Sequence, residues 1–415
     1  MPCDPPICQG ISVPPIRRSL PFWYLLIAFI LVSARYWHAY LGDLQVYLAG
    51  GRAILTGLPL YGPDFPASVP GTSKMPFTYP PFAAMLFAIL TPIPQPLVNV
   101  LFTAGSIGAL FVVCRVVLVR LLPGFANVGL LAGAATLAAC ALEPMQANFY
   151  WGQINIFLLA LVILDCVPKR TRWPRGVLVG LAAAIKLTPL VFLLYFAAKR
   201  DWRAAGTTLA TFTGTAVLGY LLSPANSASY WLHTLFNANR IGRPANGTNQ
   251  SLKAVIARMD LSPALTTTMW VMATVVVLAL TLLLAIRYRR QKADLTALIV
   301  VANAGLLVSP VSWAHHWVWI APALLVLIHH VRTRPLLWPL AALPIVTFMT
   351  GIHNVLPLEG MEVHWTTGQR LLGNGYVWLA LGLLIVLVLT TARQAMTAAG
   401  GTPVRIPEPR CSPAR

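Results

Sequence analysis

The feature that most constrains this chain is a succession of apolar runs, each about 17 to 25 residues long, beginning with "LPFWYLLIAFILVSARYW". A helix of that length crosses the hydrocarbon core of a bilayer, and repeated runs make a polytopic membrane bundle. Charge is sparse in the same sense. Asp, Glu, Lys and Arg supply 10% of the chain and hydrophobic residues 57%, whereas a soluble domain carries roughly 25% charged residues. Too few charges remain to cover a water-exposed surface. The fold class is therefore an all-α integral membrane protein.

The net charge of +19 raises nucleic acid as a partner, and the distribution removes it. The basic residues flank apolar runs in short loops instead of gathering on one face, so they mark membrane topology and surface contact with membrane lipids. The six cysteines have no metal-ligand spacing and predict no structural disulfide. Spans fall near 20–38, 97–120, 126–143, 153–167, 205–223, 264–286, 294–310, 316–330, 335–351 and 375–392, ten in all, with tails at 1–19 and 393–415. Residues 78–91, bounded by prolines, predict an interfacial or re-entrant helix. Residues 176–197 have basic clusters at both ends and Lys186 and Pro189 in the middle. They predict two half-helices that enter and leave on the cytoplasmic side. With both termini inside, most Lys and Arg then face the cytoplasm, and the long loops 39–96, 224–263 and 352–374 face outward.

Those outer loops and adjoining helix ends hold the polar residues. "DLQVYLAGGRAILTGLPLY" follows the first span, then come "FTYPPF", "YWGQINIFLLALVILD", "GLAAAIKLTPL", "NQSL" and "SPVSWAHHW". Taken together over residues 20–390, these motifs resemble glycosyltransferase family 87, the polyprenol-phosphate-mannose-dependent α-1,2-mannosyltransferases of actinobacteria. The resemblance implies a GT-C-type membrane enzyme at the plasma membrane. It implies transfer on the outer face from a polyprenyl-phosphate mannose donor to a lipid-linked mannoside: a phosphatidylinositol mannoside, lipomannan or lipoarabinomannan.

The residues suit that chemistry. A sugar on a lipid phosphate already carries a good leaving group, so the protein needs a base for the acceptor hydroxyl and cations for the phosphate. Asp43 is one of only 11 acidic residues. Read alone it is a helix N-cap; the resemblance makes it the base. Lys186 is an ammonium inside an apolar stretch, which needs a partner or a wet cavity unless it snorkels to the interface. Arg258 and Arg370 are further phosphate candidates, or arginines that only meet solvent and headgroups. His315 and His316, adjacent on a helix and so about 100° apart, place one imidazole toward the cavity, as a substrate contact or as structure. Gln153, Asn155, Asn249 and Gln250 offer amides to sugar hydroxyls or to neighbouring helices. No metal-ligand pattern and no cofactor motif is present. The competing reading is a lipid or solute transporter with Lys186 as substrate or ion-coupling residue. Many transporters concentrate ionisable groups near the midplane and show repeat symmetry; here midplane charge is nearly absent and no repeat is found.

The sidedness is testable. A cysteine in place of Ala245 should react with an impermeant thiol reagent added outside intact cells, and labelling only after permeabilisation would overturn the scheme.

Overall fold

The computed structural model describes residues 16–36, 41–62, 65, 75–358 and 360–400; most of both predicted tails lies outside these. The chain begins with α1 (Ile16–Tyr36), then α2 (Gly42–Leu55) and the short α3 (Pro81–Ala88). Next come α4 (Gln95–Leu121), α5 (Val128–Ala139), α6 (Glu143–Trp151) and α7 (Asn155–Cys166). α8 (Val177–Ile185) and α9 (Leu193–Lys199) lie either side of a break. They lead to α10 (Trp202–Leu222), α11 (Pro224–Leu232) and α12 (Leu252–Ala257). α13 (Pro263–Arg290), α14 (Asp294–Val308), α15 (Ile320–Val331) and α16 (Trp338–Thr350) follow, and α17 (Thr367–Gly373) and α18 (Gly375–Gly400) come last.

Among the described residues six stretches are long and apolar enough to cross a membrane. They are Gln95–Leu121, Trp202–Leu222, Pro263–Arg290, Ala314–Val331, Pro335–Asn354 and Gly375–Ala392. α5 and α6, bent by 77°, make a seventh if taken as one span. The remaining apolar runs fold into shorter helices: Pro21–Tyr36, α7 and α14. Hydropathy marks the apolar run, not the helix end. Near Gly152 and Ser309 the run continues while the chain leaves the helix to build a loop. Leu221 of α10, Val275 of α13, Val346 of α16 and Ile385 of α18 are exposed, as lipid-facing side chains are in a multi-pass membrane protein.

α2 differs from the spans. Ten of its residues are buried, on every side, so it is a core helix. It packs along α3, and Tyr47 stacks on Phe87 with ring centroids 4.4 Å apart. Gly51 permits the close approach: a Cβ there would lie 2.7 Å from the backbone nitrogen of Ala88. α3 starts at Pro81, a first-turn position where the missing N–H costs nothing. The proline-bounded segment is thus an eight-residue helix buried against α2.

The expected break falls at Lys186, whose backbone is extended (φ −149°, ψ 129°). A 3-10 turn, Thr188–Phe192, then leads into α9. Asp165 fixes the start of the first arm by accepting hydrogen bonds from the backbone N–H of Gly176 (2.9 Å) and Val179 (3.0 Å). Arg175 before the first arm and Lys199 at the end of the second line the same cavity, while Lys186 lines another. The two arms therefore return to one end of the molecule.

Gly51→Ala should force α2 and α3 apart. Overpacking of this kind costs about 1–3 kcal/mol, and thermal unfolding in detergent should show a lowered midpoint. An unchanged midpoint would mean that the two helices slide freely.

Candidate active site

The cavity between these elements has a volume of about 560 Å³. Asp43 of α2, Gln153 between α6 and α7, Lys186 at the break and His315 and His316 all line it. Its wall also includes Tyr79, Glu143, Arg240 and Trp313.

Asp43 reaches the cavity because of how α2 begins. Leu41 adopts a left-handed conformation (φ 46°), and no side chain caps the helix. Asp43 lies in the first turn without acting as the cap, which corrects the simpler reading of this residue. A non-glycine residue at positive φ costs roughly 1 kcal/mol, and here it turns the chain so that the carboxylate faces inward. Gly152, left-handed at φ 65°, ends α6 beside α2; a Cβ there would lie 2.8 Å from the Cβ of Leu44. This contact delivers the next residue, Gln153, to Asp43.

Gln153 is the hub. Its amide donates to the Asp43 carboxylate. Its Oε1 accepts from the hydroxyl of Tyr47 (2.9 Å) and the Nδ2 of Asn155 (3.3 Å). The hydroxyls of Tyr47 and Tyr79 are 2.8 Å apart. Burial raises the pKa of Asp43 to about 6, against the lowering pull of Gln153 and of the Lys186 charge.

Lys186 Nζ donates to Asn155 Oδ1 (2.9 Å) and to His316 Nε2 (2.9 Å). It also lies 5.6 Å from the centre of the Tyr79 ring. An ammonium can only donate, so His316 Nε2 is the unprotonated nitrogen. The backbone carbonyl of His315 accepts from Asn148 Nδ2 (2.7 Å) and Asn155 Nδ2 (3.1 Å). Its own Nε2 is buried with no hydrogen-bond partner among the described groups. Both histidines line the cavity, where one was expected. The turn Ala314–Trp319 is a 3-10 and not an α-helical one, and the two imidazoles lie edge to face with ring centroids 4.8 Å apart, so both reach the cavity.

The other candidates lie elsewhere. Arg258 is 1% exposed and is not in the cavity wall. Its guanidinium donates to the carbonyls of Ala245 (2.9 Å) and Asn249 (2.6 Å) and to Asn374, and stacks near Trp365. Arg370 donates to the carbonyls of Trp365 (3.0 Å) and Val363 (2.9 Å), also outside the wall. Asn249 and Gln250 are fully buried. They tie their loop to the "SPVSW" segment, through Ser312 N to Asn249 Oδ1 (2.8 Å) and Gln250 N to Ser312 O (2.7 Å). Three cavity residues, Tyr79, Glu143 and Arg240, and Tyr47, which bonds Gln153 from behind the wall, were not singled out from sequence. Tyr47 and Tyr79 stand inside quoted motifs among apolar neighbours. Glu143 accepts from Tyr376 (2.7 Å) and Asn354 (3.2 Å), and Arg240 donates to Phe77 O (2.6 Å); nothing in their local pattern marks either.

Helices with apolar outer faces around a cavity that brings together a carboxylate, an ammonium and two histidines have the make-up of a membrane-embedded enzyme. The family model of Glycosyltransferase family 87 matches residues 77–310. A "Polyprenol-phosphate-mannose-dependent alpha-(1-2)-phosphatidylinositol mannoside mannosyltransferase" of Mycobacterium tuberculosis (strain ATCC 25618 / H37Rv) is 41% identical over 85% of each chain. The protein of the same description from Mycolicibacterium smegmatis (strain ATCC 700084 / mc(2)155) is 40% identical over 86% of this chain and 85% of its own. A "Polyprenol-phosphate-mannose-dependent alpha-(1-2)-phosphatidylinositol pentamannoside mannosyltransferase" of Mycobacterium tuberculosis (strain CDC 1551 / Oshkosh) is 32% identical over 97% of this chain and 92% of its own. The chain belongs to glycosyltransferase family 87.

Arg258→Met should be a stability defect. Charged hydrogen bonds contribute about 1.5–3 kcal/mol each, and several would be lost, so the unfolding midpoint should fall sharply. A variant as stable as the parent would free Arg258 for a role in binding.

Proposed function

We propose that the chain is an α-1,2-mannosyltransferase that moves mannose from polyprenyl-phosphate mannose to a phosphatidylinositol mannoside or a longer lipid-linked mannoside. The observation that carries this reading is the pairing, in one cavity, of Asp43 with an ammonium that has no carboxylate partner. Asp43 takes the proton of the acceptor hydroxyl as its oxygen bonds to the anomeric carbon. The bond from that carbon to the phosphate oxygen breaks with its electron pair, and Lys186 stabilises the departing phosphate. One displacement inverts the anomeric configuration. The unpartnered His315 Nε2 suits an acceptor hydroxyl, and Arg240 at the wall adds a second cation near the lipid phosphate.

The same reading takes the fold as GT-C with about ten crossings in one catalytic domain, and the cavity as opening on the outer face of the plasma membrane. α7 and α14 support the higher count, because each runs from the cavity region to basic residues at the opposite end. The activity for which those relatives are named supports the donor and the acceptor class.

The first test is purified protein with radiolabelled polyprenyl-phosphate mannose and each acceptor, followed by linkage analysis. An α-1,2-linked mannose on the lipid acceptor is expected, and uptake or flipping of a lipid without transfer would replace the enzyme with a transporter.

Asp43→Asn preserves shape and should lower transfer by about 10² to 10⁴ at an unchanged melting temperature; near-parental turnover would remove the base. The pH profile carries the sign. The base form of a carboxylate with a pKa of about 6 is lost as pH falls, so kcat/KM should drop below about pH 6. Gln153→Leu removes a hydrogen bond that lowers that pKa, so the acidic limb should move to higher pH.

Lys186→Met should raise the KM for donor far more than the KM for acceptor. Equal effects on both would detach Lys186 from the phosphate.

A further inference from the structure

A second cavity, of about 240 Å³, lies at the far end of the helices that form the first. Cys166 ends α7 there and Asp294 begins α14, whereas Asn155 and Ser309 at their other ends border the catalytic region. At about 1.5 Å per residue these helices separate the two cavities by roughly 20 Å.

Its wall is strongly basic. Arg120, Lys169, Arg175 and Lys199 line it, and Asp294 is the one carboxylate among the lining residues. Asp294 is taken by Lys199 at 2.9 Å. Arg175 is held in place through its Nη1 to Cys166 O (3.0 Å) and its Nη2 to Pro168 O (2.8 Å). Two neighbouring carboxylates offset part of this charge, Asp165 acting directly on Arg175, and the four cations still outnumber the acids. Asp165 starts α8, and Asp201 caps α10 by accepting from Ala204 N (3.1 Å). Retention on one side of a membrane needs basic residues only near the surface. It does not need them converged on one polar-walled cavity with one guanidinium fixed in advance.

We propose that this cavity binds a phosphate-bearing anion, the headgroup of an anionic phospholipid from the leaflet opposite the catalytic cavity or a soluble phosphate ester. A planar guanidinium held by two carbonyls keeps its remaining N–H groups for an oxyanion, and the ammonium of Lys169 at the exposed rim adds a second donor. Basic pockets between membrane helices recognise phospholipid headgroups by this chemistry. The two arms of the broken helix both end at this cavity, at Arg175 and Lys199. An anion here would therefore clamp the segment that presents Lys186. The site stands independently of which sugar is transferred.

The test uses the full chain in neutral detergent, with its melting temperature followed against dioctanoyl phosphatidylglycerol, dioctanoyl phosphatidylcholine and inorganic phosphate. The parent should be stabilised by phosphatidylglycerol and not by phosphatidylcholine. Arg120 and Lys169 are exposed, so the Arg120→Gln/Lys169→Gln double variant should fold normally. Each basic group near a membrane surface contributes about fivefold in affinity, so the double variant should need about thirtyfold more lipid. Lys186→Met, at the other cavity, should respond as the parent does. If inorganic phosphate matches the lipid in the parent and loses its effect in the double variant, the site stands with a soluble occupant. Equal responses of parent and double variant, loss confined to Lys186→Met, or no response to any probe would each overturn the proposal.

Discussion

The ammonium of Lys186 is held by neutral groups alone. The ion pairs among the described residues are Lys199 with Asp294 and His353 with Glu143, so no carboxylate lies within 4.0 Å of it. Asn155 and His316 take its hydrogen bonds beside the face of Tyr79, and its charge is offset only at longer range, by Asp43. A charge inside a membrane protein is expensive, and it is retained where it meets a wet cavity or an anionic ligand. Much of the surrounding structure follows from that cost. The helix breaks at Lys186, α7 begins with an asparagine at the point where the ammonium needs an acceptor, and the chain before α15 arrives with a histidine.

The acid is wired to the same group. Asp43 bonds Gln153, Gln153 bonds Asn155, and Asn155 bonds Lys186. Tyr47 and Tyr79 lock the hub from the α2 and α3 side. Asp43 and Lys186, the proposed proton acceptor and phosphate-binding cation, are thus linked through one hydrogen-bonded chain of side chains. Such preorganised dipoles need little rearrangement as charge develops during reaction. The strain at Leu41 and the tight contact at Gly152 belong to the same construction, since both serve to bring α2 against the start of α7.

Much of this was legible in the sequence where one residue broke a pattern. Lys186 and Pro189 inside an apolar run exposed the broken helix, and Asp43 was conspicuous as a rare acid at the exit of a span. Gln153 and Asn155 stood out at the start of an apolar helix, and the structure brings both to Lys186 and Asp43. Residues whose role depends on distant neighbours were not legible. Arg258 looked like an available cation until the loop carbonyls of Ala245 and Asn249 closed around it. Glu143 and Arg240 reach the cavity from segments with no local signal. The bend between α5 and α6 was also hidden, because the two helices together are long and apolar enough for one span.

The most direct measurement is a structure of Asp43→Asn with intact polyprenyl-phosphate mannose bound. The account predicts the donor phosphate within hydrogen-bond reach of Lys186 Nζ, with the anomeric carbon between it and residue 43. A donor phosphate bound at Arg258, at the opposite basic cavity, or anywhere that leaves Lys186 without an anion would contradict it.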